Sequence, residues 1–97
     1  MSEEGIRFWF FVLLKAKGIS VSDDRGAARR HYVYAGRVVA VRDSADAPAA
    51  AVERLRLELQ SRFPDQRSDW EIEVRDMFEV DDFADEDTAL VFQPEPT

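Results

Sequence analysis

Nine carboxylates crowd one short stretch of this chain: Glu71, Glu73, Asp76, Glu79, Asp81, Asp82, Asp85, Glu86 and Asp87. Three readings suit such a cluster. The plainest is a solvated edge strand and loop, whose like charges keep the edge from pairing with other chains. The second is an anionic surface for a basic protein partner. Same-face residues on a strand stand about 6.5–7 Å apart, a spacing of the same order as phosphates along a nucleic-acid strand. The even offsets of Glu71, Glu73, Glu79 and Asp81 therefore admit a nucleic-acid mimic, with Arg75 interrupting the row. The third is a divalent-cation site from Asp81, Asp82, Asp85 and Asp87, but the ligand spacing and glycine of an EF-hand loop are missing.

Other chemistry has little to build on. The chain holds no cysteine and one histidine, His31, so there is no thiolate nucleophile and no ligand set for structural zinc. No dinucleotide fingerprint, phosphate-binding loop, nucleophile elbow or zinc-protease motif occurs. A lone His31 beside Arg29 and Arg30 is a poor general base. Asp76 is the one carboxylate of interest for catalysis. It falls at an inward position of an alternating segment, where burial raises a carboxyl pKa; a bulge or an arginine partner such as Arg42 is the structural explanation. No catalytic residue, cofactor-binding residue or metal ligand is assigned, and no cofactor is called for.

Charge is distributed unevenly. Residues 1–62 hold 11 basic and 8 acidic side chains, and residues 63–97 hold 2 and 12, which together give the net charge of −7. Such a field repels nucleic acid and anionic membranes and favours basic partners. Arg25, Arg29 and Arg30 beside Tyr32 and Tyr34 resemble a single-strand-binding patch in composition, but the net charge opposes it. These arginines are better matched to the acidic last strand.

The elements that carry these groups follow from periodicity. At 97 residues, with 45% apolar and 11% aromatic content, the chain suits one domain over 1–97, with loose termini at 1–5 and 93–97. Ile6–Lys17 is rich in β-branched and aromatic residues and reads as a strand extended by Ile19–Ser22. It is too short to span a bilayer as a helix and follows Ser2-Glu3-Glu4 rather than a basic leader, so a cytoplasmic location without membrane contact is expected. Turn residues at Ser22–Gly26 tip a hairpin. Arg29–Arg42 returns, with Gly36 marking a bulge or a turn; a bulge is preferred. Asp46 and Pro48 open a helix whose apolar stripe is Val52, Leu55, Leu59 and Phe63, ended by Pro64. Trp70–Asp81 alternates as a half-buried strand with Trp70, Ile72, Val74, Phe78 and Val80 on one face. Ala89–Phe92 supplies a short final strand.

The expected fold is therefore α+β: an antiparallel sheet of three to four strands in the order β-β-α-β, with a final β allowed, and one amphipathic helix packed on one face. One helix covers one face only. The other face carries Trp9, Phe11 and Leu13, which are predicted to form a dimer interface with a second copy. The functional expectation is a non-enzymatic acidic interaction module, homodimeric, that binds a basic protein partner through Glu71, Glu73, Glu79, Asp81, Asp82, Asp85, Glu86 and Asp87. An inhibitor of a nucleic-acid-binding enzyme is its sharper form. Direct nucleic-acid binding is not expected. The alternative is a small ligand-binding protein or enzyme with its site between the sheet and a second subunit. The aromatic run Phe8–Phe11 reads more readily as core than as a ligand box.

Overall fold

The structure is a computed structural model, and it describes residues 7–22, 24–66, 70–81 and 87–96. Four strands and one helix occur in the order β1 (Phe8–Ser22), β2 (Ala28–Val41), α1 (Ala47–Arg62), β3 (Glu71–Val80) and β4 (Val91–Pro94), with a 3-10 turn at Ser44–Asp46 ahead of the helix. All pairings are antiparallel and the sheet order is β3-β1-β2-β4. The expected α+β architecture is what the chain adopts. No helix among the described residues is long and apolar enough to cross a membrane.

Helix α1 forms where the apolar stripe predicts it. Pro48 lies in the first turn, where its missing N–H costs nothing, and Asp46 is the N-cap residue. The capping bond comes from Asp43 instead, whose carboxylate accepts the Ala45 N–H at 2.9 Å. Asp46 makes no side-chain cap because its backbone is already helical; an N-cap side chain reaches the first N–H groups from extended geometry, which Asp43 has. Ala47, Ala51, Leu55 and Leu59 are buried against Phe10, Val12, Leu14, Ala16 and Ile19 of β1 and Val33, Ala35 and Val39 of β2. Trp70 closes this core beside β3.

Two bulges set which side chains meet. In β1, Lys17 and Gly18 oppose the single residue Tyr32, and Gly18 takes a positive φ of 85°, a geometry glycine adopts without a Cβ penalty. In β3, the pairing passes from Leu13↔Asp76 to Leu14↔Val74, so Arg75 is the extra residue. This corrects the single-face reading of β3. Ile72 and Val74 share the helix side with Ala16 and Leu14, but Phe78 and Val80 lie opposite Phe11 and Trp9 on the other side. The cause is visible in the segment Val74–Phe78. Two adjacent polar residues followed by two adjacent apolar ones cannot satisfy a period of two without an inserted residue.

Gly36 is neither a bulge nor a turn. It pairs in regular register with Leu13 within one continuous strand. Its role is clearance: a Cβ there would stand 2.1 Å from Phe11 Cζ, because the Phe11 ring lies across the glycine backbone.

Side chains close the sheet where strands stop. Beyond the end of β3, Gln66 pairs with Ser20 of β1 as a fifth strand would, accepting its N–H at 3.0 Å and donating to its carbonyl at 2.6 Å. Beyond the end of β4, Thr88 donates its N–H to the Gly36 carbonyl and accepts the Gly36 N–H through Oγ1. At the other end of β4, Glu95 donates its N–H to the Arg30 carbonyl, and its carboxylate accepts the Gly18 N–H at 2.8 Å. Glu95, expected within a loose terminus, thus ties the chain back to the β1 bulge.

Candidate functional site

The acidic residues divide by where the fold places them. Glu71 and Glu73 pair with Lys17 and Lys15 on the face away from the helix. Glu79 pairs with Phe10 and so falls on the helix side. The β3 bulge therefore breaks the straight row of carboxylates that the even offsets suggest, and the phosphate-ladder analogy loses its geometric basis. Glu71, Asp76, Glu79 and Asp81 are exposed. Asp82, Asp85 and Glu86 lie outside the described residues, and the cation site considered for Asp81, Asp82, Asp85 and Asp87 falls partly there. Among the described residues, no group of three or more His, Asp or Glu side chains is arranged to hold a metal ion.

Glu73 is tied into the sheet. Lys17 Nζ stands 3.1 Å from its carboxylate and Arg75 Nη1 donates to it at 3.1 Å. The Lys17 contact, followed by Arg75, holds the Glu73 carboxyl below its usual pKa, and Glu73 raises that of Lys17. A carboxylate whose folded pKa lies below its unfolded value of about 4.3 stabilises the fold above that pH and loses this contribution as pH falls through the folded value. Urea midpoints of the wild type and Glu73→Gln are thus expected to differ at pH 7, with the wild type higher, and to converge as the pH is lowered past 4. The gap should also narrow in high salt. A gap that persists at pH 2 would assign the difference to something other than this charge.

Asp87 is equally committed. Its carboxylate accepts the Val38 N–H at 2.9 Å and pairs with Arg54, which also donates to the Val38 carbonyl at 2.7 Å. Sequence reasoning assigns Asp87 to a partner-binding surface; the fold uses it to finish the edge of β2. Beneath it lies a buried cation. Arg37, 4% exposed, donates through Nε and Nη2 to Glu58 of α1, and through Nη1 to the Gly36 and Thr88 carbonyls. The Glu58 hydrogen bonds raise the Arg37 pKa further above its ordinary value. Arg54 also pairs with Glu58 at 3.5 Å, so Arg37, Glu58, Arg54 and Asp87 form one chain of alternating charge. It joins β2, α1 and the segment leading into β4.

The two groups considered for catalysis have structural positions. Asp76 is exposed at the β3 bulge, where its carboxylate accepts the Met77 N–H at 2.9 Å. The burial expected at this position is absent. His31 donates through Nδ1 to the Arg29 carbonyl at 2.9 Å and sets its ring edge-on to Phe92. A recess of about 300 Å³ is lined by Lys17, Gly18, Arg30, Trp70 and Glu71. Its cations are already paired, Lys17 with Glu73 and Arg30 with Glu95.

Among the described residues, no element covers the face opposite the helix. Register places Trp9, Phe11 and Leu13 of β1, Val38 and Ala40 of β2, and Phe78 and Val80 of β3 on it. Trp9, Leu13 and Phe78 are 36%, 37% and 49% exposed. Phe11 and Phe78 stack with centroids 5.4 Å apart. Towards the hairpin the same face turns polar, with Lys15 4.0 Å above the Tyr32 ring. Phe78 and Val80 are members of this patch that strict alternation assigns to the core; adjacent Met77-Phe78 is the local signal that reveals the shift.

No protein-family model, curated protein or solved structure matches this chain.

Proposed function

We propose that this protein is a non-enzymatic interaction module that works as a homodimer and binds a basic protein partner along β3. The observation that carries the reading is the condition of the sheet margins. The β2 margin is completed by β4, Thr88, Asp87 and Arg54, and the end of β1 by Gln66. Strand β3 stays the long outer strand, with Glu71, Asp76, Glu79 and the adjoining Asp81 exposed along it. An outer strand lined with carboxylates repels acidic chains and attracts basic ones. The partner is thus a protein with a cationic surface, and a cytoplasmic setting belongs to the same proposal.

The test is an affinity pull-down from nuclease-treated lysate with the wild type and a Glu71→Lys/Glu79→Lys/Asp81→Lys variant. Neither Glu73 nor Asp87 is altered, so the internal ion pairs stay intact. Capture of a basic protein by the wild type and its loss in the variant is the expected result. Equal capture by both would remove β3 as the binding edge.

A further inference from the structure

We infer that β3 takes an added strand: an extended segment of a partner protein, alternately basic and apolar, that pairs along the outer margin of β3 through main-chain hydrogen bonds. This deepens the interaction-module reading, on whose basic partner it rests.

The direction of the β3 backbone is the first argument. Gly36 gives its N–H to Thr88 Oγ1, and its carbonyl accepts the Thr88 N–H, so both groups point away from β1. Opposed residues of an antiparallel pair exchange both main-chain bonds or neither. Leu13, opposite Gly36, therefore turns its own groups toward β3. By alternation Phe11 and Lys15 do the same, so Asp76, Phe78 and Glu73 are β3 residues that bond to β1. Ile72, Val74, Met77 and Glu79 are left with N–H and C=O directed outward. Met77 agrees with this, because its N–H is met by the Asp76 carboxylate at 2.9 Å. Among the described residues no strand pairs with this margin. An open row of such groups is a template for strand addition.

Side chains set what the added strand carries. Ile72, Val74 and Met77 lie on the helix side, beside Ala16, Leu14 and Val12 of β1. Those three β1 residues are fully buried, yet Val74 is 38% exposed and Ile72 and Met77 are half-buried. Cover by α1 thus fades towards this margin. Alternate side chains of an added strand would fall beside the apolar row and extend its burial. The side chains between them would fall on the other face, beside Glu71, Glu73 and Asp76, where lysine or arginine is favoured. Charge also rejects a second copy at this margin. Two β3 strands laid edge to edge would set carboxylates against carboxylates, and like charges directly opposite are destabilising. Asp76 caps the Met77 N–H, so the longest open stretch is 71–74, where pairing should report most clearly.

The probe is a capped synthetic peptide, Lys-Val-Lys-Val-Lys-Val-Lys, titrated into the isotopically labelled full chain at about 150 mM salt. With free peptide at about ten times its Kd, amide exchange at Ile72 and Val74 should slow about tenfold. A block peptide of the same composition, Lys-Lys-Lys-Lys-Val-Val-Val, should bind about tenfold more weakly, because it cannot pair with the margin and serve both faces at once. Backbone N-methylation, at the valines in one peptide and at the lysines in another, completes the test. Opposed residues share a face, so antiparallel addition directs the valine N–H groups at β3. Loss of binding confined to one methylated peptide is the expected result: the valine form for an antiparallel strand, the lysine form for a parallel one. Equal binding by alternating and block peptides, without protection at Ile72 and Val74, overturns strand addition and leaves a partner held by charge alone. No binding by any peptide at about 1 mM, a free energy of only about −4 kcal/mol, also overturns strand addition, and the pull-down then judges the basic-partner reading by itself.

Discussion

Replacing Glu58 by alanine is expected to cost about 3–5 kcal/mol of folding stability, because it removes the counter-charge of a buried cation and leaves that cation in place. The asymmetry between the two partners makes this specific. Arg37 is 4% exposed and cannot shed its charge. Without Glu58, its Nε and Nη2 lose their acceptors inside the protein, while Nη1 still holds the Gly36 and Thr88 carbonyls. Glu58, by contrast, is 34% exposed and touches Arg54 as well. Arg37→Met should therefore cost less, about 1–3 kcal/mol, chiefly for the two carbonyls it abandons. In the double variant the stranded cation is gone, so the losses should fall well short of additive. Urea unfolding of the four species measures this directly. For a domain of this length, with roughly 5–15 kcal/mol in all, the Glu58→Ala loss would be a large fraction. Additive losses would mean that Arg37 and Glu58 do not depend on one another, against the bidentate geometry.

The same pair marks where sequence reasoning stops. Arg54 and Glu58 at i,i+4 predict a pair on the wet side of the helix, and that contact exists. The stronger partner of Glu58 is Arg37, 21 residues away, and no local period announces it. Element types and order are legible because each runs over many residues: the apolar stripe of α1, the β-branched density of β1, the alternation of β3. Face assignment in β3 is not, because one inserted residue at Arg75 reverses it for everything that follows. Among the carboxylates, local pattern identifies the cluster but not its use. Asp87 completes a strand edge and Glu73 an ion pair, while Glu71, Asp76, Glu79 and Asp81 stay exposed. Trp9, Phe11 and Leu13 fall together on the open face as their spacing predicts, since β1 runs regularly through them.

The second large effect concerns the covered face. Leu59→Ala is expected to lose about 2–5 kcal/mol, and Leu57→Ala less than about 0.5 kcal/mol. The two leucines are two positions apart on α1, yet Leu59 is fully buried and Leu57 is 54% exposed. Two residues along a helix rotate a side chain by about 200°, so one leucine points into the sheet and the other into solvent. Among the described residues α1 is the only helix on the sheet, and Leu55 and Leu59 are its largest fully buried side chains. No second helix shares the load, so the cavity left at Leu59 should lie at the high end of the range if the helix cannot settle closer to β1 and β2. Undocking α1 would also bare Val12, Leu14 and Val33 on a sheet whose opposite face is already apolar, so partly unfolded Leu59→Ala should aggregate near its midpoint. Urea denaturation followed by far-ultraviolet circular dichroism, with light scattering recorded alongside, tests both parts. Equal losses for the two leucines would show that the helix sits on the sheet through a different face.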